Sequence, residues 1–191
     1  FLIPLLLQVS MGYTPLHAGL MMLPVAVAGM AMKQVATPLI TRLGYRRVLV
    51  GNTVAVGLMM ASFALTAPGQ PLVLHIAQLA LFGAVNSLQF TAMNTVTLKD
   101  LTQANASSGN SLLSMVQMVA MGMGVAAAGG VLAAFTGVFG AVGGGGVQTL
   151  HAFQATFACM GLITVASAGI FAQLSADERP ATKADAAHLE G

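Results

Sequence analysis

The residues able to do chemistry in this 191-residue chain are few, and they sit in apolar surroundings. His75, Gln78, Phe82, Asn86, Gln89 and Met93 follow one another at spacings of 3, 4, 4, 3 and 4. Asn110, Ser114, Gln117, Met121 and Gly124 follow at 4, 3, 4 and 3. Those spacings put each set on one face of a helix. Amide side chains facing hydrocarbon are costly, so both stripes are expected to face a bundle interior or an aqueous cavity. Two readings stay open for Asn86, Gln89, Gln117, Asn110 and Ser114. They line the wall of a small-molecule cavity, or they make interhelical hydrogen bonds that only hold helices together. Lys33 is the one charge inside an apolar stretch, and either acts within the bundle or snorkels to the surface. His75 is a hydrogen-bonded structural histidine or a proton carrier. No nucleophile, base or metal-ligand cluster is assembled, so no enzymatic step, metal or other cofactor is expected. Cys159 has no nearby His or acid and reads as inert filling. One Cys excludes a disulfide framework within the chain and a Cys-based zinc site.

The elements that carry these residues follow from composition. Hydrophobic types make up 57% of the chain and charged types 6%, with a mean hydropathy of +0.84. A soluble domain carries roughly 25% charged residues. Seven Lys+Arg and five Asp+Glu cannot coat a water-soluble surface of this size. A soluble enzyme, a nucleic-acid-binding domain and a disordered chain are excluded on that ground. The net charge of +2 supplies no clustered basic footprint for nucleic acid. The composition is that of an all-α polytopic membrane bundle.

Apolar segments over 18–40, 48–67, 71–94, 107–135 and 151–174 are each about 20 residues or longer, the length a bilayer requires. Backbone polar groups must be satisfied internally in lipid, so each is expected to be a helix. The opening stretch, about 1–9, is too short to span, and reads as a helix cut by the start of the chain. Residues 1–174 are therefore expected to form a six-helix bundle with its first helix truncated, the C-terminal part of a longer protein. The polar, Ala-rich tail at 175–191 is expected to be disordered.

Arg42, Arg46, Arg47, Lys99, Arg179 and Lys183 fall on one side if the spans alternate, and the opposite loops hold no Lys or Arg. That bias puts the six and the C-terminus on the cytoplasmic side, and Thr14, Gly69 and Gly143 outside. Gly143 to Gly146 lack the strand and the Lys-Ser/Thr of a phosphate loop and read as a linker. Asn105 or Ser107 is expected to cap the helix that follows. On that helix Ala120, Gly124 and Ala128 recur every four residues, as do Gly122, Ala126 and Gly130, so close packing is expected there. Met115, Met118, Met121 and Met123 serve ordinary packing or an adaptable pocket.

The segment TPLITRLGYRRVL, residues 37–49, resembles the loop motif of the major facilitator superfamily, Gly-x-Leu-x-Asp-Arg-x-Gly-Arg-Arg/Lys-x-x-Leu. Leu39, Arg42, Gly44, Arg46 and Leu49 fit it. Thr37, Tyr45 and Thr41 replace the first Gly, the first Arg of the pair and the Asp that latches neighbouring helices in the family. GYTPLHAGLMMLP (12–24), MNTVTLKDL (93–101) and NASSGNSLLSM (105–115) are similar to the fourteen-helix drug:proton antiporter branch.

The resemblance implies the C-terminal half of a secondary transporter of the bacterial inner membrane. Such a protein exports diverse small molecules against proton entry, and its two halves rock around a central site. Its implied partners are the lipid bilayer, small-molecule substrates, protons and the N-terminal half of the same protein. The loop residues Leu39, Arg42, Gly44, Arg46 and Arg47 are expected to govern conformational exchange. A same-fold transporter of one narrow metabolite remains an alternative. So does a non-transporting membrane fragment, if the native chain starts near residue 1.

Overall fold

A computed structural model describes residues 1–66, 70–98, 103–140 and 146–173. Every regular element among the described residues is helical. α1 (Leu2–Leu5) runs on as a π-helical turn, Leu6–Ser10. α2 (Pro15–Leu20) and α3 (Leu23–Leu43) follow, then α4 (Tyr45–Ser62) with a final 3-10 turn, Phe63–Leu65. α5 (Leu72–Leu98), α6 (Gln103–Val138) and α7 (Gly146–Phe171) complete the described residues. Among the described residues, five stretches are long and apolar enough to cross a membrane: Pro15–Leu43, Tyr45–Leu65, Leu72–Leu98, Asn105–Val138 and Gly146–Phe171.

Two boundaries show how local chemistry sets the elements. Thr14 is extended, with ψ 153°, and its hydroxyl accepts from the His17 backbone N–H, while Pro15 takes the first helical position. That is a capped start in which the proline lacks only a donor the helix would leave unpaired anyway. The segment expected as one helix over 18–40 breaks at Met21–Met22. Pro24 explains the break, because it has no N–H for the Leu20 carbonyl and its ring crowds that carbonyl. Gly44 then divides α3 from α4 with φ 80° and ψ 154°, a conformation essentially confined to glycine. Its N–H bonds the Ile40 carbonyl at 2.9 Å, closing α3, and its carbonyl accepts from Val48, opening α4.

α6 corrects one expectation. It begins at Gln103, so Asn105 and Ser107 lie inside its first turns and cap nothing. A rise in hydropathy marks where sequence becomes apolar, whereas a helix can begin in polar sequence. The Ser111 hydroxyl here bonds the Ser107 carbonyl at 3.0 Å, within the helix. Most small-residue positions of α6 meet no neighbouring helix within this chain. A Cβ on Gly122, Gly124 or Gly130 would meet nothing within 4 Å. Of the six seam residues only Ala128 is buried. A small residue permits close approach but does not choose a neighbour.

Close approach occurs elsewhere. α4 crosses α7 at Gly57 and Gly161, where each carbonyl occupies the space a Cβ on the other would need. α5 crosses α3 at Gly83, where a Cβ would overlap the Val25 backbone. Ser87 donates to the Gly29 carbonyl at 2.8 Å across the same pair. Two apolar clusters result. One joins Leu2, Leu6, Phe63, Leu79, Ala128, Leu150, Phe153 and Phe157. The other, beside the α3–α4 turn, joins Ala36, Ile40, Tyr45, Val48, Leu49, Leu88 and Ala92.

Candidate functional site

Two amides of α5, Gln78 and Gln89, meet side chains of α4. Asn52 of α4 is buried, and its Nδ2 donates to the Val85 carbonyl and to Gln89 Oε1, both at 2.9 Å. Gln89 Nε2 donates in turn to Thr53 Oγ1 at 2.8 Å. Gln89 thus uses both ends of its amide, and Asn52 both hydrogens of its own. One helical stretch away, Gln78 donates to the Ser62 hydroxyl at 2.8 Å, which itself donates to the Met59 carbonyl. The α4–α5 contact is therefore stitched at two levels by groups whose alternative in lipid is to go unpaired.

The remaining residues singled out by spacing are distributed differently. Gln117 reaches from α6 to Asn94 of α5, with Nε2 2.5 Å from Oδ1. The Ser114 hydroxyl is taken up within α6 by the Asn110 carbonyl at 2.8 Å. Asn86, Asn110 and Met93 are exposed, as is Lys33 on α3. The α5 stripe therefore divides: His75, Gln78, Phe82 and Gln89 turn inward, and Asn86 and Met93 lie at the edge. The buried positions on α5 are His75, Leu79, Gly83, Leu88 and Ala92. They show a contact face that passes beside the polar stripe. His75 is buried, and its Nε2 has no hydrogen-bond partner.

In the α3–α4 turn, Arg42 and Arg47 are exposed, while Arg46 and Leu39 are half-buried. Tyr45 and Leu49 anchor the turn in the second apolar cluster. The Thr41 hydroxyl donates back to the Pro38 carbonyl at 3.0 Å, so the position carries a local bond and no charge. The carboxylates Asp100, Asp177, Glu178, Asp185 and Glu190 lie outside the described residues, as do Gly69, Lys99, Gly143, Arg179 and Lys183. The expected tail over 175–191 lies there too.

Among the described residues no group of three His, Cys, Asp or Glu side chains could hold a metal ion. Cys159 is half-buried in α7. The arrangement is a set of apolar helices joined by small-residue crossings and by few, localised polar contacts. Spacing alone missed Asn52 and Thr53. An amide in the apolar run of α4 was a signal available to it.

Residues 1–125 match the Major Facilitator Superfamily. The chain is 42% identical over 179 residues to proteins named for multidrug resistance, MdtD, from Salmonella typhi, Salmonella newport and Salmonella agona. The match covers 93% of this chain and 37% of each relative, so the chain spans little more than a third of their length. No solved structure matches. The family match over most of the chain, together with five apolar helices of spanning length, makes this chain a member of the Major Facilitator Superfamily.

Proposed function

We propose that this chain is the C-terminal bundle of a secondary transporter that exports chemically diverse small molecules against proton entry. The observation that carries the reading is the 42% identity over 93% of the chain to relatives named for multidrug resistance. Transport proceeds by alternating access, with this bundle rocking against an N-terminal half of the same protein around a central site. The protein lies in the bacterial inner membrane with its C-terminus in the cytoplasm. The excess of Lys and Arg around Arg42, Arg46, Arg47 and Lys99 supports that orientation.

In this reading Asn86 and Asn110, both exposed, offer amides to the central cavity. Gln89, Gln117 and Ser114 hold that wall in register through the bonds described above. Lys33 modulates the cavity electrostatically. The loop with Leu39, Arg42, Gly44, Arg46 and Arg47 acts on the exchange between states. It lies in a turn between two spans, away from mid-membrane, where cargo binds.

The test is a resistance profile. Cells lacking their own exporters and expressing the full-length protein should tolerate several structurally unrelated lipophilic drugs better than cells with empty vector. Unchanged tolerance at verified expression, together with growth on one polar metabolite, contradicts the reading and favours a narrow-substrate transporter.

A further inference from the structure

Lys33 stands at the middle of α3, a helix of 21 residues. At 1.5 Å per residue each end of α3 is about 15 Å away, half the thickness of a hydrocarbon core. A four-carbon stem is far shorter than that, so lipid phosphates are out of its reach. The side chain is exposed on the surface of the bundle. Thr37 and Thr41 follow it at spacings of four with Gln34 beside it, all exposed, so α3 carries a polar edge around its one mid-span charge.

Nothing in the described residues answers that charge. Lys33 has no ion-pair or hydrogen-bond partner among them, and they contain no carboxylate side chain. α3 and α5 run side by side, with Gly83 against Val25 and Ser87 against Gly29. The same register sets Lys33 level with Thr91, and α5 ends at Leu98, about 10 Å farther along the axis. The connection that carries Asp100 begins beyond that point. A second copy offering the same face would set Lys33 against Lys33. The surface itself is open. The Pro15–Leu43 and Asn105–Val138 spans are 6% buried over their most apolar stretch, against 28% to 39% in the other three. The match to the relatives covers 37% of each, so well over half of their length lies outside it.

We propose that Lys33 forms an ion pair within the membrane with a carboxylate from the part of the full-length protein outside these 191 residues, which docks on the polar edge of α3. A lone ammonium at mid-membrane is costly, and an opposite charge with hydroxyls close by offsets that cost. The pair rests on the reading of this chain as one bundle of a larger protein. Its test measures no transport, so a failure of multidrug export would leave it standing.

The experiment treats the full-length protein in lipid nanodiscs with dicyclohexylcarbodiimide, an apolar reagent that activates carboxyl groups. The Lys33 amine attacks the activated carboxyl carbon, an amide forms, and dicyclohexylurea leaves with the carboxyl oxygen, so the joined pair has lost one water. Peptide mapping by mass spectrometry should find Lys33 joined to one carboxylate outside these 191 residues. Mixed isotopically light and heavy protein should give no light–heavy product. Lys33→Glu should lower the thermal midpoint, and changing the mapped carboxylate to Lys in the same protein should restore most of it. A product with Asp100 or with a carboxylate beyond Ser175 overturns the proposal, as does a light–heavy product. So do the absence of any Lys33 product, a charge swap that restores nothing, and acetylation of Lys33 by water-soluble sulfosuccinimidyl acetate as fast as that of Lys99. The cross-link and acetylation maps use the unaltered protein and need no variant to fold.

Discussion

Gly57 and Gly161 face each other where α4 crosses α7. A Cβ on Gly57 would lie 2.8 Å from the Gly161 carbonyl oxygen, and one on Gly161 would lie 2.7 Å from the Gly57 carbonyl oxygen. The relationship is reciprocal, backbone against backbone, so neither helix can yield by rotating a side chain. Hydrophobic drive between helices is weak in lipid, and this contact is one that dispersion at close range can hold.

Gly57→Val and Gly161→Val should therefore each destabilise the bundle, by about 1–3 kcal/mol or more if the crossing must open. Gly122→Val, on an open face of α6, should be close to neutral. The check is the thermal midpoint of the purified full-length protein in one detergent. Equal midpoints for Gly161→Val and Gly122→Val would contradict the assignment of the contact.

The Asn52–Gln89–Thr53 network predicts strong coupling between its members. Asn52→Ala leaves Gln89 Oε1 without its donor, and Gln89→Ala leaves one Asn52 hydrogen unused. Each should cost about 0.6–2 kcal/mol, the range for interhelical hydrogen bonds in membranes. The double variant should be less damaging than the sum, since each single change already breaks the shared bond. Additive losses in a double-mutant cycle would show that the two amides do not interact.

Gly44→Ala should be destabilising although its Cβ meets no atom within 4 Å. The obstacle is conformational: φ 80° with ψ 154° strains any residue with a side chain, by about 1–3 kcal/mol. Arg46→Ala should fold normally and still bind drug, but transport more slowly. An Arg46→Ala protein with full expression and unchanged transport, or with drug binding as its only defect, would refute the role given to the loop.

The driving proton should be carried elsewhere. All five carboxylates fall at Asp100 or beyond Ser175, so no expected span contains one. A carboxylate is the group whose pKa burial most readily lifts into the working range. Lys33→Gln and His75→Gln should each leave drug transport coupled to protons. Loss of coupling in either variant, with folding and drug binding intact, would locate the proton site in this chain.

Much of the fold was legible because hydropathy and length determine where a chain can cross a bilayer. The Pro24 break escaped because a run of apolar residues is continuous whether or not its helix is. The helix contacts were less legible. Gly122, Gly124 and Gly130 carry the same small-residue signal as Gly57, Gly83 and Gly161, yet only the last three meet a neighbouring helix closely. Residue type states what a surface tolerates, and only the three-dimensional arrangement states what arrives there. The polar stripes were visible as stripes. That Gln89 is consumed by Asn52 while Asn86 stays exposed depends on where α4 lies against α5, which spacing within α5 does not encode.

The most direct measurement of the central claim uses everted membrane vesicles containing the full-length protein, energised to an acidic and positive interior. Addition of several unrelated lipophilic drugs in turn should each release protons from the lumen, with drug accumulating inside, and both effects should vanish when an uncoupler collapses the gradient. Drug accumulation that persists without a proton gradient, or proton release by one polar metabolite and by no drug, would contradict proton-coupled multidrug export.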